Sequence, residues 1–321
     1  MRYAVLLAFL SACTAISTED GDRLASHQRN AKYYFDGGRL PQAMDQIERG
    51  LEIAPDDYML NSLKGAVLLR SSASAQSTDH KRLDEATEVL AKVYETRSAN
   101  RHQPYLLLNY ALALQKQGQR HLGEAIRLEG QATRTPNASE LEDKAKAERQ
   151  LANDNLIAAR DMLGVLIERG EVLRIAHNHR FQIAEQLGDQ KLIAESSKAY
   201  LEQVAADQAA AQREIERTVE AKWEAEQLAT LRSLREEELE VRAILAKSEY
   251  DRQDYVSALT HLNRVLELDP QRSVDYYNRG RVLLDLKQTD AAKKDFERFL
   301  ATTNLPSTSE KKTFAITALG W

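Results

Sequence analysis

Near its C-terminal end the chain repeats itself every 34 residues, and that interval leaves few architectures open. Ala246 and Gly280 stand 34 residues apart, as do Ala258 and Ala292, and Leu262 and Phe296. Self-similarity at this period marks helix–turn–helix units stacked side by side, because one such unit cannot bury its apolar face alone. Small residues fall where two helices must approach closely, and large ones fill the space between them. Pro270 lies between units, where it can end one helix without breaking the next. The frame recurs near the other end of the chain. Ala31, Ala43, Ile47 and Pro55 occupy the places of Ala246, Ala258, Leu262 and Pro270, and Gly65 follows Ala31 by 34 residues.

The segment Asp275-Tyr276-Tyr277-Asn278-Arg279-Gly280, with Asp295-Phe296, resembles a tetratricopeptide repeat (TPR). The resemblance implies an all-α fold, a TPR-like α–α superhelix (solenoid). It also implies that ligands lie on the inner surface, lined by the first helix of each repeat. Carried onto this sequence, those places are Gln28, Lys32, Phe35 and Asp36 in the first repeat and Ser62, Ala66 and Leu69 in the second. In the C-terminal pair they are Ala243, Lys247, Tyr250, Tyr277, Arg281 and Leu284. This mixed polar and aromatic surface suits a peptide or a partner segment. The Lys/Asn arrangement with which some TPR proteins hold the C-terminal carboxylate of chaperones is not matched.

Between the two repeat regions the frame loosens. A third repeat is expected from Tyr105, with Ala111, Leu114 and Gly118 in register and a second helix over about Leu122 to Ala132. Pro136 and Asn137 end this array, and helices are expected from Ser139 to about Gly170 and from Val172 to Leu187. From Asp189 to Asp269 there is neither Gly nor Pro. A continuous helix over Lys191 to Asp251 would be ~90 Å long at about 1.5 Å per residue. Its middle is poor in aliphatic residues, so the reading is a long, partly exposed helical arm. It would either bridge solvent or pair loosely with the helix beginning near Leu141. The expected divisions are 1–12 signal, 13–24 tether, 25–134 N-terminal array, 135–241 long-helix region, 242–302 C-terminal pair and 303–321 capping tail. Phe314, Ile316 and Trp321 are the expected cover for the last repeat.

The N-terminal stretch reads differently. Arg2 is followed by a short apolar run to Leu10 and then small residues, the layout of an export signal. The run is far too short to span a bilayer, which takes ~20 residues. Leu10-Ser11-Ala12-Cys13 resembles the bacterial lipobox, in which the signal is cut before a cysteine that then carries diacylglycerol. Stable anchoring needs more than one acyl chain, which a lipoprotein has. Thr14 is not the Asp associated with retention at the inner membrane, so the resemblance implies the periplasmic face of the outer membrane.

No bond-making machinery is evident. Neither a His-Glu-x-x-His zinc pattern, a Gly-x-Ser-x-Gly elbow nor a Gly-rich phosphate loop occurs. The single cysteine excludes an internal disulfide and a thiolate metal site. His177-Asn178-His179 is the one dense histidine cluster, but successive helical residues diverge by about 100°, so it reads as exposed helix surface. A net charge of −5 argues against a general nucleic-acid binder. The expectation is therefore a non-enzyme without cofactor, metal, nucleic acid or small-molecule substrate. It would be a lipid-anchored TPR adaptor that binds protein partners in assembling an envelope machine such as a pilus or secretion apparatus. The alternative is an adaptor that recruits peptidoglycan hydrolases.

Overall fold

The structure is a computed structural model and describes residues 17–73, 79–96, 103–217 and 221–320. Among these residues there are thirteen α-helices and no β-strand, the all-α TPR-like class expected from the repeats. The chain divides into two compact units, Met1–Met162 and Leu163–Trp321. Cys13 and Trp321 lie outside the described residues.

The first unit contains α1 (Thr18–Asp36), α2 (Leu40–Ile53), α3 (Tyr58–Ser72), α4 (His80–Thr96), α5 (Pro104–Ala132) and most of α6 (Ser139–Glu168). Its first core joins Ala31 and Phe35 to Ala43 and Ile47, and to Leu60, Leu63 and Ala66 of the next pair. A second core joins α3 to α4 and α5 through Leu69, Leu83, Leu90, Leu106 and Ala113. The Asp57 carboxylate accepts the Leu60 N–H at 2.8 Å and so caps α3, satisfying one of the amides a helix start leaves orphaned.

Two expectations for this unit are corrected. The polar stretch assigned to a tether is helical from Thr18, because the Ser17 hydroxyl accepts the Asp20 N–H at 3.1 Å and acidic Glu19 and Asp20 occupy the first turn. The third repeat has no turn near Gly118. Instead α5 runs unbroken for 29 residues. Gly118 serves a helix crossing, since a Cβ there would lie 2.7 Å from Leu156 Cγ on α6.

The second unit contains the end of α6, then α7 (Leu173–Leu187), α8 (Gln190–Arg217), α9 (Ala221–Asp251), α10 (Tyr255–Leu268), α11 (Ser273–Asp285), α12 (Thr289–Thr302) and α13 (Glu310–Leu319). The Gly- and Pro-free stretch is not one long helix. It is two helices, α8 and α9, packed antiparallel on each other. Their proximal halves share a core with α7 through Phe181, Leu192, Tyr200, Val204, Leu234 and Val241. The Tyr200 hydroxyl donates to Glu237, and Arg174 forks onto the same carboxylate at 2.7 Å. The distal halves remain exposed, and Trp223 there is 55% accessible. The expected arm exists, but as a hairpin.

Glu238 of α9 is the electrostatic centre of this region. Its carboxylate is buried and accepts Arg242 Nε at 2.8 Å, Arg264 Nε at 2.9 Å and Gln208 Nε2 at 3.2 Å. Burial pushes its pKa up, but the donors from Arg264, Arg242 and Gln208 together outweigh that and hold it at about 2. The three donors come from α9, α10 and α8, so one carboxylate ties the hairpin to the repeats.

The repeat pairs close as the 34-residue spacing requires. Gly280 on α11 faces Phe296 on α12, and Gly65 on α3 faces Leu90 on α4, both too near for a Cβ. The turns inside the pairs also correspond. Gly38, Gln253 and Lys287 all have φ between 63° and 70°, a left-handed conformation that only Gly adopts without strain. In the terminal cover, Ala315 is the buried residue of α13, and Leu305 and Leu319 pack with it. Phe314 meets Tyr277 and Phe296 edge-on, and both it and Ile316 keep an exposed side.

Candidate functional site

A cleft of about 730 Å³ opens in the second unit between α9, α11 and α13. Helical spacing of three and four residues brings Ala243, Lys247 and Tyr250 of α9 onto one face. Val274, Tyr277, Asn278 and Arg281 do the same on α11, and Glu310 and Lys311 enter from α13. The Arg281 guanidinium lies 5.3 Å from the Tyr250 ring centre and 5.3 Å from that of Phe314, and donates to the Tyr250 hydroxyl at 2.8 Å. Cation–π contacts of this kind orient Arg without neutralising it. Lys311 Nζ stands 5.5 Å over the Tyr277 ring. Asp275, buried at the edge of the cleft, is paired with Arg272 at 2.6 Å and accepts Asn278 Nδ2 at 3.2 Å. Burial, then a hydrogen bond to Asp285, raises the Tyr250 pKa against the lowering influence of Arg281, so the phenol stays neutral.

Five of the six C-terminal residues marked in the sequence meet in this cleft: Ala243, Lys247, Tyr250, Tyr277 and Arg281. Tyr277 is largely buried, stacked on Phe296 and Phe299, and only its edge lines the opening. Leu284 is not part of the lining and packs against the Phe296 core. Arg272, Asp275, Glu310 and Lys311 were missed. Glu310 and Lys311 lie on α13, outside the repeat frame that guided the sequence reading, and only their place in the fold reveals them.

In the first unit the marked residues divide between surface pairs and the core. Gln28 Nε2 donates to Asp57 at 2.9 Å, bracing the α3 cap. Lys32 and Asp36 form an exposed i,i+4 pair at 2.7 Å. Phe35 and Leu69 pack inward as core residues. What assembles instead is a stack that the sequence reading missed. Arg70 lies 4.7 Å over the Phe35 ring, and Tyr105 meets the same ring edge-on at 6.3 Å. Burial, reinforced by Asp36, pushes the Tyr105 pKa up to about 12 despite Asn109 and Arg70.

His177 is half-buried rather than exposed, and burial followed by neighbouring Arg180 lowers its pKa. Among the described residues, no group of three or more His, Cys, Asp or Glu side chains could hold a metal ion.

Antiparallel helix pairs, a small residue opposite a large one at the crossings of Gly65, Gly118 and Gly280, and a 34-residue frame in the repeat pairs define the class: an all-α helical-repeat protein with a TPR-like fold. No family model and no curated protein matches the sequence. Among solved structures it is similar to the C-terminal part of a TPR repeat-containing protein from Cytophaga hutchinsonii, at 14% identity over 91% of this chain and 84% of that one, with a TM-score of 0.47. It is also similar to pilF of Pseudomonas aeruginosa, at 15% identity over 93% and 99% of the two chains, TM-score 0.46. A tetratricopeptide repeat protein from Parabacteroides merdae follows at 14% identity, 94% and 98% coverage and a TM-score of 0.35.

Proposed function

We propose that the protein is a non-catalytic scaffold that holds a segment of a partner protein in the cleft between α9, α11 and α13. The observation that carries this reading is the lining itself. Aromatic faces, an oriented guanidinium and the partly engaged amide of Asn278, with Lys311 from α13, converge on one concave surface of ligand-site size, within the usual ~300–1,000 Å³. Aromatic and Arg side chains in such positions commonly supply most of the energy of a protein contact.

The finer reading places the scaffold on the periplasmic face of the bacterial outer membrane. There it is held by lipid on Cys13 and serves the assembly of an envelope machine such as a pilus or secretion apparatus. The lipobox-like Leu10-Ser11-Ala12-Cys13 supports the anchor. Among the described residues, no helix is long and apolar enough to cross a membrane.

Two measurements test these readings. A photo-crosslinking amino acid at Lys247 should yield a defined protein adduct in intact cells, while the same group at Glu224, on the exposed hairpin, should not. Equal adducts at both positions would remove the cleft from consideration. For the anchor, Cys13→Ala should abolish metabolic palmitate labelling and release the protein from the membrane fraction. Unchanged labelling and fractionation would end the lipoprotein reading.

A further inference from the structure

We propose that the cleft is selective for carboxylate side chains, so that the segment it holds is an acidic stretch of the partner, rich in Asp or Glu. This deepens the reading of the cleft as a protein-binding site and rests on it.

The argument starts from which charges in the cleft are already satisfied. Asp275, the buried carboxylate of the lining, is neutralised by Arg272. The other two carboxylates, Asp251 and Glu310, are exposed at the rim, where water solvates them. The cations are placed differently. Arg281 and Lys311 are half-buried, and neither they nor Lys247 has a carboxylate within 4.0 Å among the described residues. Arg281 has the phenols of Tyr250 and Tyr277 as partners, Tyr250 in turn bonding Asp285, and aromatic faces on two sides, and Lys311 has an aromatic face. A guanidinium carries five donors in a fixed fork, so Arg281 keeps donors that the protein does not fill.

Partial burial makes this matter. A charge withdrawn from water and left without a counter-ion is costly, and a ligand carboxylate removes that cost while forming charge-assisted hydrogen bonds. A bidentate carboxylate on Arg281, with Lys311 beside it, is the occupant that completes the set. Asn278 is turned into the same opening and uses one amide hydrogen on Asp275, leaving a donor and an acceptor for the backbone of an extended segment. A flat anionic bilayer fits less well, because Arg281 is half-buried and Tyr277 buried while the carboxylates of the lining that face water, Asp251 and Glu310, would repel it.

The test uses the full chain in detergent and three fluorescein-labelled, C-terminally amidated ten-residue peptides, alternating Ser with Glu, with Gln or with Lys. Amidation removes the terminal carboxylate, so any acid preference comes from side chains. The Glu peptide is expected to bind at least about tenfold more tightly than the Gln peptide, the Lys peptide more weakly still. Arg281→Gln should erase most of that preference. Lys311→Gln, on the short last helix, should reduce it several-fold with the circular dichroism spectrum unchanged, which guards against misfolding of the Arg281 variant. Equal binding of the Glu and Gln peptides, unaffected by either substitution, would overturn the acidic preference and leave the protein-binding site standing. Binding of none of the three overturns the inference. If the Lys247 crosslink is also missing, the site itself falls with it. Arg281-dependent binding to phosphatidylglycerol vesicles in place of the Glu peptide would overturn it in favour of a membrane ligand.

Discussion

Adding the same methyl group at Gly164 and at Gly280 should move stability in opposite directions. Replacing Gly by Ala inside a helix gains about 1 kcal/mol, because Gly loses the most backbone freedom on folding. Nothing lies within 4 Å of a Cβ built at Gly164, so Gly164→Ala should realise that gain in full. At Gly280 the new Cβ would stand 2.8 Å from Phe296 Cε1 and 3.0 Å from Cζ. The ring has nowhere to go. Phe296 is fully buried, with the Tyr277 and Phe314 ring centres at 6.0 and 5.9 Å. Overpacking costs ~1–3 kcal/mol, so Gly280→Ala should be net destabilising by about 1 kcal/mol. Phe296→Leu opens space at the same place. Combined with Gly280→Ala it should show a coupling of about 1 kcal/mol, since each change relieves the defect of the other. Both residues lie in the second unit, so urea titration followed by circular dichroism can compare them. Amide exchange in α11 and α12 localises the effect, because repeat arrays open piecewise. An equal rise in midpoint for both Ala variants, with no coupling to Phe296→Leu, would refute the packing argument.

Acid should act through Glu238, whose pKa of about 2 lies well below the ordinary 4.5. A depressed folded-state pKa adds stability above the unfolded value, here up to ~3 kcal/mol, and that stability is lost as pH falls from about 4.5 to about 2. Glu238→Gln should flatten the acid limb of the stability–pH curve over that window, and an unchanged limb would mean that the Arg242 and Arg264 contacts are not formed in solution. Lys287 holds φ 63° in the α11–α12 turn. Lys287→Gly should gain about 0.5–1 kcal/mol, the relief of left-handed strain less the entropy Gly brings to the unfolded chain. A lower melting temperature would contradict the assigned turn.

The repeat pairs were legible because packing leaves a positional record. Gly65, Gly280 and Phe296 are where they are since nothing else fits the crossing, and a 34-residue interval exposes them. The hairpin left no such record. α8 ends at Arg217 and α9 starts at Ala221 with no Gly or Pro between them, and a helical pattern reads alike whether it continues or folds back. The third repeat misled for the opposite reason: Gly118 is in register, yet it serves a close crossing inside one unbroken helix. In the site, Lys247, Tyr250 and Arg281 could be found from repeat position. Burial could not, and so Tyr277 reads from sequence as a surface contact although it is a pillar of the aromatic core. Lys311 depends on how a segment outside the repeats docks, which spacing does not encode.

α9 belongs to two assemblies at once. Leu234, Val241 and Leu245 pack it on α7 and α8, while its last turns also pair with α10 and carry Lys247 and Tyr250 into the cleft. No loop separates the two ends, and at about 1.5 Å per residue the helix is a bar of ~46 Å with Glu238 near its middle. A helix bends little without Pro or Gly to weaken it, and α9 has neither. The core shared with α7 and α8 and one wall of the cleft are therefore built on a single unbroken helix. A change that shortened or broke α9 would disturb both together.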